Sequence, residues 1–153
     1  MPSICAGASK RRVHLSPRCS VHAYDYALIR VVPRVERGEF VNVGVVLSCQ
    51  GRRFLEARIE LDETRLKAMD PSVDLDTVRV HLAAFAAICA GGADAGPIGK
   101  LSARERFHWL VAPRSTMIQT SPVHGGRCVD HPAMLERLLD TMVRTPAGSS
   151  KNA

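Results

Sequence analysis

YDYALIRVVPRVERGEFVNVGVVLSC, Tyr24 to Cys49, decides the fold. Two runs rich in β-branched and apolar residues flank a charged turn, VERGE. Such runs read as strands, because branched side chains suit a pleated, half-buried surface. Pro33 closes the first run, since proline cannot donate to a sheet ladder. Gly38 is the residue expected at positive φ in the turn Arg34–Glu39. The second run, Phe40–Cys49, carries Asn42 and Gly44, two residues that strand interiors normally avoid.

Gln50, Gly51 and Arg52 then form a tight loop, and Arg53–Leu61 reads as a third strand. That strand alternates, with Leu55, Ala57, Ile59 and Leu61 on one face and Phe54, Glu56, Arg58 and Glu60 on the other. The second strand offers Val41, Val43, Val45 and Leu47 as an apolar set. Matching the two sets places Leu47 opposite Leu55 and Val43 opposite Ile59, which requires a three-residue loop. Ala27, Ile29 and Val31 join the same side. The expectation is an antiparallel meander with one apolar face.

Helices follow. Asp62–Met69 reads as a short helix stopped before Pro71. Asp74 or Asp76 caps a helix running to Ala90, with Leu75, Val78, Leu82, Phe85 and Cys89 at helical spacing. Gly91 and Gly92 end it. Ala93–Lys100 reads as a loop. Ser102 and Glu105 have capping-box spacing for a helix to Val111. Thr116–Thr120 reads as a short fourth strand and Ser121–Asp130 as a loop. Asp130 or His131 caps a last helix with Pro132 in its first turn and a stripe of Leu135, Leu138, Leu139 and Met142. Strands followed by helices give an α+β class: a three- to four-stranded antiparallel β-meander packed against three to four helices.

The 153 residues suit one domain, expected over 23–144, between a disordered basic leader at 1–22 and a disordered tail at 145–153. No apolar run approaches the ~20 residues needed to span a bilayer, and the N-terminus lacks a signal peptide's apolar region. A cytoplasmic location and no membrane partner are the expectation. The five cysteines are irregularly spaced; Cys49 and Cys89 read as buried free thiols. The net charge of +6 is concentrated outside the core: Lys10, Arg11, Arg12 and Arg18 sit in a leader without acids. The leader aside, nucleic acid is disfavoured, since the seven aromatics show no basic–aromatic interleaving.

Candidate site residues gather on the meander's second face, with Tyr24, Tyr26, Arg30, Asn42, Gly44, Glu56, Arg58 and Glu60. Arg30 is expected opposite Asn42 or Gly44. The glycine would leave a notch beside a guanidinium, and Arg30, Asn42, Gly44 and Arg58 could then hold a carboxylate or phosphate. The bland alternative is solvated cross-strand ion pairing; a third is cover by the last two helices. Glu39, with Glu36 and Arg37, is a further candidate on the turn. Arg114 and Ser115, near the SPVHGG loop, could cradle a phosphate. His124, Cys128 and His131, and Cys19 with His22, have zinc-compatible spacings, but without a C-x2-C knuckle the expectation is no metal and no cofactor. P-loop, G-x-S-x-G and H-E-x-x-H strings are lacking, so no catalytic residue is assigned.

The string Tyr24–Leu47 resembles the opening of a bacterial family of small uncharacterised proteins, a domain of unknown function. PRSTMIQTSPVHGGRCVDHP with LERLLDTMV resembles its C-terminal half, so the likeness covers Tyr24–Val143. The resemblance implies a partner of the HipA-like kinase type and brings no assigned activity. The favoured reading is a non-catalytic interaction or regulatory module. Its alternative is a small enzyme or an anion- or phosphate-binding protein using the polar face of the sheet.

Overall fold

The first expected strand, paired along both of its edges, is the centre of the sheet. The structure, a computed structural model, describes residues 20–146. Most of the leader and of the tail expected at the two ends falls outside the described residues. β1 (His22–Val31) begins two residues earlier than the sequence suggested and pairs antiparallel with β2 (Val41–Cys49). β2 pairs antiparallel with β3 (Phe54–Ile59). The other side of β1 takes two short antiparallel strands, β4 (Ile118–Thr120) and β5 (His124–Cys128). The fold is α+β, with a five-stranded antiparallel sheet.

β5 lies where a loop was expected. β4 and β5 act as one strand interrupted at Pro122, whose nitrogen cannot donate. Ser121 bridges the gap: its amide donates to the Leu28 carbonyl at 2.9 Å, and its Oγ accepts from the Leu28 amide at 2.8 Å. One of the two glycines that hid β5, Gly126, has a packing reason. The Tyr24 ring lies where a Cβ on Gly126 would stand.

The register differs by one residue from the expected pairing. Leu47 faces Glu56, Ser48 faces Leu55 and Gly44 faces Ile59. The loop is longer than the three residues anticipated: a 3-10 turn, Gln50–Arg52, is followed by Arg53 in the left-handed region at φ 50°. The expected faces of β3 stand, with Leu55, Ala57 and Ile59 turned to one core. A β-bulge in β2 reconciles the two. Ile29 faces Gly44 and the next residue, Arg30, faces Asn42, so Val43 is the extra residue. The bulge flips the side-chain parity of β2. Val41, Val43 and Val46 lie on one side, and Val45, Leu47 and Cys49 on the other.

The sheet therefore has two buried apolar faces rather than one. On the first lie α1 (Glu63–Met69), α2 (Leu75–Ala90) and α3 (Ala103–Val111), with Leu66, Val78, Leu82, Phe85, Phe107 and Leu110 against Ala27, Ile29 and Val31. On the second lies α4 (His131–Met142), with Leu135, Leu138 and Leu139 against Tyr24, Val45 and Leu47. Burying each leucine contributes roughly 1.5–3 kcal/mol. Of the two helices considered as cover for the polar face, only the last provides it. The helix starts follow the sequence closely. Asp62, Asp74, Ser102 and Asp130 are the N-caps, and Ser102 with Glu105 forms the complete capping box. Ala93–Lys100, read as a loop, is wound into 3-10 turns. No single helix among the described residues is long and apolar enough to cross a membrane.

Candidate binding site at the Arg30 end of the sheet

Arg30 lies near the Pro33 end of β1, so its cross-strand neighbours are Asn42 on β2 and Gln119 on β4. The chain turns back at VERGE and brings Phe40 over it. The guanidinium carbon stands 4.1 Å from the Phe40 ring centroid. Phe40 is 42% exposed, so this stack has one side in solvent. Arg30 Nε is buried and has no hydrogen-bond partner among the described residues; the same holds for Asn42 Oδ1. The other end of the Asn42 amide is used, since Nδ2 donates to the Met142 carbonyl at 3.3 Å.

This arrangement has a chemical meaning. A buried polar atom without a partner costs free energy, about 1–3 kcal/mol, and is uncommon in folded proteins. Here a donor and an acceptor share adjacent cross-strand positions. Arg30 makes no ion pair with any described residue. A guanidinium stacked on an aromatic ring is held flat and keeps its outer N–H groups for a planar oxyanion. The arginines nearest in sequence are occupied. Arg34 pairs with Asp70 at 3.4 Å, and Arg37 pairs with Glu39.

The other expected residues are placed apart from this pair. Gly44 does not make a notch beside Arg30. A Cβ there would stand 2.6 Å from the Arg58 carbonyl oxygen, 3.1 Å from Ile59 Cγ1 and 3.2 Å from Ile29 Cδ1, on the opposite, apolar side. The glycine is needed because β3 comes too close at the bulge. Arg58 is engaged with Glu136 on α4 and with Glu56 at 3.4 Å, clamping the last helix. Glu39 is tied to Arg37 on the turn. Arg114 folds back on Trp109, its guanidinium carbon 3.8 Å from the indole ring, and also donates to the Trp109 carbonyl. Burial lowers the Arg114 pKa from its ordinary value. Ser115 is exposed on the turn that follows, and neither residue bonds to Arg30.

A second group, hidden from the sequence reading, surrounds His131. The residue is 4% exposed, with ring centroids of Phe54 at 5.8 Å, His22 at 6.1 Å and Tyr24 at 6.5 Å from its own. Nε2 has no partner. Burial pushes the imidazole below its usual pKa, and His22 and Arg52 push the same way. Sequence spacing had suggested His131 as a metal ligand. It packs instead as a core ring at the start of α4. Among the described residues no group of three or more His, Cys, Asp or Glu is placed to hold a metal ion, and Cys19 lies outside them. Cys49, Cys89 and Cys128 are free thiols. Burial raises the Cys89 pKa to about 12 and also raises that of Cys128, so neither is an activated nucleophile.

Comparison with known families gives one match. The family described as "Protein of unknown function (DUF3037)" covers residues 26–143, from β1 through α4. No curated protein and no solved structure matches the chain.

Proposed function

The chain belongs to the DUF3037 family, whose function is unknown, and on that premise we propose that it is a non-catalytic interaction module receiving an anionic group of a protein partner at Arg30. One observation carries the reading: Arg30 and Asn42 are cross-strand partners, and Arg30 Nε and Asn42 Oδ1 are each buried without a hydrogen-bond partner among the described residues, beside an exposed Phe40. An arginine held by an aromatic ring is a common energetic centre of protein interfaces. Phe40 and Met142 give apolar contact around it, both being exposed large side chains. A carboxylate or phosphate would take the guanidinium's N–H groups, and a neighbouring N–H of the same partner would satisfy Asn42 Oδ1.

The partner suggested by the family resemblance is a HipA-like kinase, met in the bacterial cytoplasm. Calorimetric titration with the purified kinase tests this. Arg30→Ala should weaken binding roughly 10- to 150-fold, the equivalent of losing a charged hydrogen bond. Its melting temperature should stay near that of the wild type. Arg30→Lys should restore only part of the affinity, because the ammonium cannot present two parallel N–H groups. Wild-type affinity in Arg30→Ala would overturn the proposal.

A further inference from the structure

The turn between β2 and β3 ends in a strained residue beside a cavity. Arg53, at φ 50° and ψ 37°, is the one non-glycine residue at positive φ among those described. Residues held this way persist where surrounding structure fixes them, and they concentrate at ligand clamps. Next to it opens a cavity of about 460 Å³ between the turn and the start of α3. That volume lies within the roughly 300–1,000 Å³ of small-molecule sites. Its walls include the apolar Cys49, Phe54 and Ala103, and the polar Gln50, Arg53 and Arg104.

Neither arginine has a carboxylate partner among the described residues. The Arg53 side chain makes no hydrogen bond or ion pair with any described residue. Arg104 donates only to Gln50 Oε1, at 3.3 Å. The adjacent acid in the chain, Glu105, is turned to the helix cap, accepting from Ser102 N at 2.9 Å and Ser102 Oγ at 2.8 Å. A neighbouring cavity of about 360 Å³ shares Ser48 and Gln50 but carries Asp25, which would repel an anion. Charge thus favours the Arg53 side.

We propose that this cavity binds a small organic anion, a phosphate monoester or carboxylate with a flat apolar body. The anionic group would bridge Arg53 and Arg104, and the body would rest on Phe54 and Ala103. The site is separate from Arg30 and does not depend on the interaction reading above.

Phenyl phosphate carries both halves of this chemistry; inorganic phosphate and phenol carry one each. In a two-dimensional amide NMR titration of the full chain, phenyl phosphate should give saturable shifts at residues 50–54 and 102–104. It should bind at least about tenfold tighter than either half, as expected when charge and apolar burial act together. Arg53→Gly removes the guanidinium and relaxes the positive-φ backbone, so the fold is retained. Arg104→Ala removes an exposed side chain. Each variant, its dispersed spectrum verified, should weaken phenyl phosphate at least about tenfold, within the range for a lost charge-assisted bond. Absence of saturation at millimolar phenyl phosphate would overturn the proposal. So would inorganic phosphate binding equally well, wild-type affinity in both variants, or shifts centred on Arg30.

Discussion

Arg58 of β3 is ion-paired with Glu136 of α4 across the interface of sheet and helix. Arg144, just beyond that helix, reaches the same carboxylate and also Glu60. Charges that looked like a solvated face therefore fasten the last helix to the sheet. Arg144 first, and then Arg58, holds the Glu136 carboxyl below the usual glutamate pKa. A carboxylate with a depressed folded-state pKa stabilises the fold above its unfolded value and loses that effect as pH falls. Glu136→Gln should therefore melt below wild type at neutral pH. The difference should close as pH falls below about 4.3, the unperturbed glutamate value. Thermal melts across that range decide it; an equal gap at every pH would refute the role.

His131 gives a pH dependence of the same sign, but from a base. Its folded pKa is depressed by burial, so the unfolded chain binds the proton more readily. The stability linked to its neutral form is complete above about pH 6.5, the unperturbed value, and declines as pH falls toward the folded pKa. His131→Phe should fill the ring site and remove this decline between neutrality and mild acid. Denaturation curves at several pH values test it, and an unchanged slope in the variant would exclude His131 as the cause.

Gly44 should tolerate no side chain. An added Cβ meets a backbone carbonyl at 2.6 Å, which cannot swing away as a flexible side chain could. Gly44→Ala should cost about 1–3 kcal/mol, the usual range for overpacking, and Gly44→Val more. Gly125→Ala is the internal control. Its Cβ would find Asp25 Oδ1 at 3.4 Å, an ordinary contact. Equal stability of the two alanine variants in urea would contradict the close approach at the bulge.

Cys89 should be inert in the folded protein. Its thiol, pushed up to about 12 by burial, is protonated at pH 8. Iodoacetamide at that pH should leave Cys89 unmodified by mass spectrometry until denaturant is added. Rapid native labelling would show that α2 opens far more often than its packing implies.

Local chemistry made the helices legible. Asp62, Asp74, Ser102 with Glu105, and Asp130 announce their ends because each cap needs only its own first turn. The alternation of β3 was legible for the same reason. The bulge at Val43 was not, since it inserts one more valine into a run already rich in valine. That single residue explains why the paired register differs by one and why Val45 and Leu47 face α4. β5 escaped notice because one of its glycines, Gly126, answers a distant ring, Tyr24. At the candidate site the opposition of Arg30 and Asn42 was readable from strand pairing. The Phe40 stack and the orphaned atoms were not, because both depend on where VERGE lays the chain. Arg53 was read as strand, which concealed the turn and the cavity beside it.

Strand order has a last consequence, for how this protein meets other chains. β3 stands at one margin of the sheet with no neighbour beyond it among the described residues, and β4 with β5 form the other. An unpaired margin invites strand addition by a second chain, the usual start of runaway aggregation. Each margin here discourages that in its own way. β3 spans six residues and carries Glu56 and Arg58, while Pro122 divides the opposite margin into pieces of three and five residues. Neither offers a long flat template. Partners are left to recognise this domain by its side chains rather than by extending its ladder, and a crowded solution of it should stay free of fibrils.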